Sequence, residues 1–317
     1  MPNEPTMEFE TVTTGLRFPE GPIAMPDGSV LVVEIQGKTL TRVLPGGKKE
    51  VVAELGGGPN GAAIGPDGRC YVCNNGGLNW EQVGDRTLPG LAADDYTHGW
   101  IDVVDLATGK SDVLYDRCGD IALRGPNDIV FDRHGGFWFT DVGKVFRNTR
   151  DRGGVFYART DGSFIKRKIF PLETANGIGI SPNDDILYVA ESHSGRLWAF
   201  DLLGPGEIHR GSGPVPWERG RLVAGMSAYS HFDSLAVEAS GNVCVANIPH
   251  AITVISPEGA IVEQVATPDL LTTNICFGGA DLMTAFITLS TTGQLVKTRW
   301  PRAGLPLHWL NDRSGRA

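Results

Sequence analysis

No stretch of this chain of 317 residues approaches the ~18 consecutive apolar residues that a membrane-crossing helix needs. An integral helical membrane protein is therefore excluded. Cysteine is scarce and odd in number, five in all, and its spacings fit neither a zinc site nor a disulfide framework. Cys70 and Cys73 in "CYVC" read as core filling within a strand. Excess basic charge is missing as well: 28 Lys and Arg against 37 Asp and Glu leave a net −9, with the basic residues scattered, so no nucleic-acid footprint is expected. The opening MPNEPTMEFE carries neither a basic n-region nor an apolar h-region, which argues against a signal peptide and makes the cytoplasm the expected location. With those partners set aside, the expected ligand is a small molecule.

What the chain has in quantity is turn chemistry, 42 Gly and 20 Pro. Its length alone leaves one or two domains open, because all-β barrels and propellers run this long as a single unit. An internal repeat decides between them. Aligned segments are "FPEGPIAMPDGSVLVVE" from Phe18, "GPNGAAIGPDGRCYVCN" from Gly58, "GPNDIVFDRHGGFWFTD" from Gly125, "TANGIGISPNDDILYVAE" from Thr174, "HFDSLAVEASGNVCVAN" from His231, and a weaker "TTNICFGGADLMTAFIT" from Thr272. Each holds a polar residue, a short apolar strand, a turn usually marked by glycine (Gly28, Gly68, Gly135, Gly241) and a β-rich strand. Two further strands lie between copies, as in "KTLTRVL" and "KKEVVAE". Four strands per repeat at spacings of 40 to 67 residues are the pattern of propeller blades. The sixth copy lacks an outer strand, and "EFETVTT" near the N-terminus has no partner of its own. The expectation is an all-β, six-bladed β-propeller over residues 1–317, a single domain closed by an N-terminal strand in the last blade. A β-sandwich pair would not reproduce one register six times, and a β-helix would need shorter, more even repeats.

In a propeller the inner strands line a common axis, so residues opening each inner strand converge at one end. These are Glu20, Asn60, Asn127, Asn176, Asp233 and Asn274. All six offer side-chain oxygens, and two are acidic. Hard divalent cations take several oxygen ligands including carboxylates, Ca2+ most readily, with Zn2+, Mn2+ and Mg2+ as alternatives. Asn and Asp also cap local backbone at strand entries, a competing account for Asn60 and Asn274 singly. Capping does not call for a glutamate at position 20. A bound cation could polarise an ester carbonyl and acidify a water, and Asp233 could accept the proton. No G-x-S-x-G elbow occurs, and the serines beside histidines lack a third partner at any recognisable spacing.

"FPEGP", "GPNDIVFD", "ANGIGISPNDDILYVAE" and "FDSLAVEASGNVCVA", in this order from Phe18 to Thr298, resemble the senescence-marker-protein/gluconolactonase family. The resemblance implies a six-bladed propeller with one catalytic divalent ion, often Ca2+, and in many members hydrolysis of sugar lactones. It implies Glu20, Asn176 and Asp233 as metal ligands, Asn127 as a residue touching metal or substrate, and Asp233 as the base. One departure concerns the substrate. Family lactonases place an arginine two residues before the third-blade asparagine, whereas Arg124 stands three before, which argues against an aldonolactone.

The loop after each second strand should share the metal's face. The one after Asn74 is long and aromatic, with Trp80, Tyr96, His98 and Trp100, so residues 76–98 are expected to form a lid over the channel. His193 and His250 fall in the matching loops of blades four and five. Expected substrate contacts are Asn60, Arg124, Asn127, Trp80, His98, His193, His250 and Asn274, with Asp128 orienting Asn127. The function these readings favour is metal-dependent hydrolysis of a lactone. A phosphotriesterase or arylesterase on the same ion, or a non-catalytic calcium-binding propeller, are the alternatives.

Overall fold

Each aligned segment folds as an antiparallel pair that continues outward into a four-stranded blade. The computed structural model describes residues 7–209 and 220–311, and among these no helix occurs. Blade one runs Pro19–Ala24, Val30–Glu34, Thr39–Val43 and Lys49–Glu54 from the axis outward. The inner strands that follow are Pro59–Ile64, Pro126–Phe131, Ala175–Ile180, His231–Val237 and Thr272–Gly278. Neighbouring inner strands touch around a closed circuit, blade six returning to blade one. The outer strand of blade six is Glu10–Thr13, which pairs antiparallel with Gln294–Arg299. One blade thus joins both ends of the chain, and the sheet edge that Gln294–Arg299 would otherwise leave open is covered. The six-bladed, N-terminally closed propeller expected from the repeat is the observed architecture.

Apolar side chains between successive blades form the core, and the clusters follow the ring. Tyr71, Phe131, Phe137 and Phe139 fill the contact of blades two and three; Cys244, Ile275, Phe277 and Trp300 fill that of blades five and six. Cys70 and Cys73 are buried free thiols within this packing, as expected. The tight turn between first and second strands needs left-handed backbone, supplied by Gly28 (φ 83°) and its equivalents in blades two, three and five. Blade four has no glycine there, and Asp184 takes φ 56° instead, a conformation Asp tolerates better than most residues.

Two features were not read from the pattern. Every inner strand carries a β-bulge at its start: the register slips between Glu20 and Ile23, Pro59 and Ala62, Pro126 and Ile129, Ala175 and Ile178, Phe232 and Leu235, and Thr272 and Asn274. The other is the segment beyond Pro301, which crosses the far end of the axis. There Leu305, Leu307 and Leu310 help to close a cavity of about 110 Å³ that runs up between the inner strands. Glu238, wholly buried, ties this segment down by accepting hydrogen bonds from Trp300 Nε1 and Arg302 Nε, each at 2.8 Å.

Candidate functional site

The six bulges set the site. An extra residue in the inner strand breaks the two-residue alternation, so two successive side chains on each strand escape the ordinary in-and-out pattern. In blades two to five the first of the two is the oxygen-bearing residue and the second is Gly61, Asp128, Gly177 or Ser234; in blade one Glu20 stands directly before the slip and Gly21 within it, and in blade six Asn274 stands directly after it. Where it is glycine the neighbouring blade fits against it: a Cβ on Gly21 would stand 2.6 Å from the Asn60 carbonyl oxygen, and one on Gly177 would stand 2.6 Å from that of Asp233. Backbones bearing adjacent candidate ligands therefore abut.

The mouth-side ends of the second strands brace this arrangement. Glu34 accepts the backbone N–H of Arg17 at 2.6 Å, Asn74 that of Gly58 at 2.8 Å, Asp141 those of Arg124 and Gly125 at 2.8 Å, and Glu191 that of Glu173 at 2.5 Å. In four blades, then, a polar side chain anchors the segment that leads into the bulge. The loops after the second strands lie at the same end as the oxygen ring, as expected.

All four expected metal ligands come to the axis end of their strands. Glu20 is buried, and its Oε2 accepts the Asn274 amide at 2.7 Å and the Gly21 N–H at 2.6 Å. Asn176 donates its Nδ2 to Ser192 Oγ at 3.0 Å, which leaves its Oδ1 as the free end. That Oδ1, Asn127 Oδ1 and Ser234 Oγ are the buried side-chain atoms without a hydrogen-bond partner among the described residues. Asp233 is partly accessible. Burial raises the carboxyls of Glu20 and Asp233 above the ordinary range, and the charges of Glu20 and Asp128 raise Asp233 further; burial and Glu20 push Asp128 up to about 7. Among the described residues no cationic side chain is among the main influences on any of the three.

This donor set fits a hard divalent cation. Among the described residues no three His, Cys, Asp or Glu side chains are grouped closely enough to hold an ion alone. Two carboxylates and two buried, unpartnered amide oxygens make up the difference with ligands of the kind Ca2+ accepts. A buried acceptor without a donor is costly and uncommon, and two of them beside uncompensated carboxylates are what a bound cation relieves.

Other expectations meet with mixed outcomes. Asp128 does not orient Asn127: its carboxylate accepts Ile129 N–H at 2.9 Å and Ile178 N–H at 3.2 Å, because the bulge turns it across to blade four. Asn274 does act on the ring, through Glu20. Asn60 is buried, with its carbonyl set against Gly21. Arg124 is not free for a substrate; its Nε bonds Asp151 at 2.8 Å and its guanidinium packs over Tyr96 and Phe146. His250, exposed, donates Nδ1–H to the Asp269 carbonyl at 2.9 Å and works as a strut between blades five and six. His98 pairs with Thr97 Oγ1 and packs near Trp100, whose own position opens the third strand of blade two rather than the insertion.

The insertion is a β-ribbon rather than a loop. Leu78–Val83 pairs with Arg86–Ala92. Trp80 packs on Phe18 of blade one with ring centroids 4.9 Å apart, Thr87 N–H reaches the Thr291 carbonyl of blade six at 3.1 Å, and Ala92 N–H that of Val145 in blade three at 2.9 Å. From blade two the ribbon thus touches three other blades at the mouth. Its root is clasped by Lys144, which sequence reasoning missed. Lys144 Nζ bonds Asn75 Oδ1 at 3.1 Å and the Gly77 carbonyl at 2.7 Å beneath the Tyr96 ring. Burial lowers its pKa to about 7, against the pull of Asp141.

Fold and site define a six-bladed propeller with a cation-compatible oxygen ring at one end of its axis. The model of the SMP-30/gluconolactonase/LRE-like region matches residues 18–291, and the chain belongs to that family. Among curated proteins it is 29% identical to lactonase drp35 of Staphylococcus saprophyticus over 84% of this chain and 74% of that one, and 24% identical to the gluconolactonase of Zymomonas mobilis over 92% and 81%. Solved structures similar to it include a gluconolactonase from Xanthomonas campestris (TM-score 0.72, 21% identity, 93% and 90% covered) and regucalcin of Agrobacterium tumefaciens, described as a calcium-binding protein (TM-score 0.72, 16% identity, 95% of each covered).

Proposed function

We propose that this chain hydrolyses lactones with the help of one divalent cation, Ca2+ first among candidates, held by Glu20, Asn127, Asn176 and Asp233. The observation that carries the reading is the pair of buried, unpartnered amide oxygens on Asn127 and Asn176 beside the carboxylates of Glu20 and Asp233, on which no cationic side chain among the described residues is a main influence. Relatives named lactonase and gluconolactonase, and a structural neighbour described as calcium-binding, support it. When bound, such an ion supplies Lewis-acid polarisation of the ester carbonyl and acidification of a water. Asp233, the accessible carboxylate of the set, accepts the proton of that water. Asn274 holds the Glu20 carboxylate in place, and Ser192 holds the Asn176 amide with its oxygen outward from the loop. The ribbon 78–92 acts as the lid, with Trp80 presenting apolar surface. Because Arg124 is committed to Asp151, a substrate less polar than an aldonolactone fits best. The net charge of −9 and five free thiols favour a cytoplasmic enzyme acting on a small molecule.

The test is turnover of five- and six-membered lactones, polar and apolar, with and without chelator, beside an aryl ester and a phosphotriester. Lactone opening that EDTA abolishes and Ca2+ restores is expected, with Asp233→Asn lowering kcat by about 100-fold or more. Chelator-insensitive activity, or none on any lactone, overturns the reading.

A further inference from the structure

Thr174 stands directly before the inner strand of blade four in left-handed backbone, φ 66°. That conformation is strained for a β-branched residue, and strain of this kind persists where surrounding bonds enforce it. Its hydroxyl has three partners. It donates to the Glu173 carbonyl, and its oxygen meets the His193 N–H at 3.0 Å and His193 Nδ1 at 2.8 Å. The hydroxyl oxygen and Nδ1 share a hydrogen bond, and with Nδ1 as its donor the Nε2 of neutral His193 keeps its lone pair.

The surroundings of that ring belong to the reaction site. His193 follows Ser192, whose Oγ fixes the Asn176 amide, and Thr174 is two residues before Asn176. On the other side the His193 ring lies 5.3 Å from that of His231, two residues before Asp233, and the His231 ring lies 4.9 Å from that of the exposed Tyr229. His193 is exposed, in a loop on the oxygen ring's face. The titratable and charged groups around it are Arg150, His231 and Glu173, the last paired with Arg150 and Arg152. Burial, Arg150 and His231 lower its pKa, which keeps the ring neutral near pH 7.

We propose that Thr174 and His193 form a proton-transfer pair for ester opening, with Nε2 taking up the proton that Asp233 removes from water and delivering it to the departing ring oxygen. The inference rests on the hydrolytic reading above. The bookkeeping closes on one proton: an O–H bond of water breaks and its oxygen bonds the carbonyl carbon. The ring C–O bond then breaks, leaving its electron pair on the ring oxygen, and the Nε2 proton neutralises it. His193 returns to its neutral form. His193 is the catalytic member and Thr174 the positioning one.

The experiment measures kcat, KM and bound Ca2+ on the wild type, His193→Ala, His193→Gln, Thr174→Val and Thr174→Ser, using whichever lactone the wild type turns over. Expected are kcat losses of about 100-fold in both His193 variants, with KM and Ca2+ content within about threefold, and partial rescue of His193→Ala by added imidazole. The acid limb of the pH profile, in which activity falls as pH drops through the lowered His193 pKa, should vanish in His193→Gln. Thr174→Val should lose about tenfold in kcat and Thr174→Ser should recover most of it. Full activity and an unchanged pH profile in His193→Gln overturn the proposal and leave lactone hydrolysis standing. A wild type that retains Ca2+ yet opens no lactone overturns both.

Discussion

If a cation belongs on the axis, its removal should matter far more at alkaline than at acidic pH. The reason lies in the three carboxyls at the axis, Glu20 and Asp128 buried and Asp233 partly so. Asp128 has its pKa raised from 3.8 to about 7, by burial and by Glu20. A carboxyl whose folded pKa lies above its unfolded value favours the folded state's protonated form. Its ionisation therefore costs nothing below pH ~4, and the cost grows between pH ~4 and ~7 and is constant above. At 1.36 kcal/mol for each tenfold change in proton affinity, Asp128 alone costs the metal-free protein roughly 4 kcal/mol above pH 7. Glu20 and Asp233 shift in the same direction and add to it. For a chain of this size an unfolding entropy of about 0.6 kcal/mol per degree turns 4 kcal/mol into a Tm change of about 6 °C.

The assay is thermal unfolding at pH 5, 6, 7 and 8 in EDTA and in excess Ca2+. In EDTA the Tm should fall between pH 5 and pH 8 by about 4 °C from Asp128 alone, since about 1.6 kcal/mol of its cost is already present at pH 5, with Glu20 and Asp233 adding to the fall. In Ca2+ the decline should be largely abolished, since a 2+ charge restores the carboxylates' ordinary preference for ionisation. The gap between the two curves should widen steadily over pH 5 to 7. An EDTA curve that is flat to within 1–2 °C, or a Ca2+ effect of the same size at pH 5 and pH 8, refutes the electrostatic reasoning.

Three further perturbations probe separate parts of the molecule. Gly21→Ala puts a Cβ 2.6 Å from the Asn60 carbonyl at φ 49°, so Glu20 must shift; a loss of about 1–3 kcal/mol in stability and at least tenfold in Ca2+ affinity by calorimetry is expected, and unchanged affinity counts against the close approach of blades one and two. Glu238→Gln leaves the Arg302 guanidinium short of its buried partner and should cost about 3 kcal/mol, read as a Tm drop of about 5 °C; a drop under 1 °C means the segment beyond Pro301 is held by other contacts. Trp80→Ala removes the Phe18 contact, worth about 1 kcal/mol, and should raise KM for apolar lactones several-fold more than for polar ones; an equal effect on both classes disposes of an apolar lid surface.

Much of the architecture was legible because the repeat is regular where the physics is regular. Glycine at the hairpin turn and alternating apolar residues recur, and so they can be aligned. The oxygen ring was legible for the same reason, six polar residues at one offset. What escaped notice depends on two segments meeting. Asp128 looked like a companion of Asn127, its neighbour in sequence, but the bulge sends it to the Ile178 N–H of the next blade. Lys144 is one lysine in a loop, and nothing in "VGKVF" announces that it reaches 67 residues back to Gly77. The leucines of "GLPLHWL" fill the axis floor only once the ring has closed. The ribbon is different, since Gly84-Asp85 between "LNWEQV" and "RTLPGLA" is a two-residue hairpin turn signal that was present in the sequence.

The bulges explain why a propeller can carry this chemistry at all. With strict alternation every second residue of an inner strand would point into the sheet packing, and neighbouring blades would stand too far apart for their first residues to share an ion. Adding one residue near the start of all six strands re-aims the oxygen donors, and glycine after the donor in blades one, two and four lets the backbones close up. In blades three and five the second bulge residue is not glycine but Asp128 and Ser234, a buried carboxylate and an unpartnered hydroxyl. The same distortion therefore brings the oxygen donors together and loads the axis with buried carboxyls, so that an ion bound there would govern the stability of the ring.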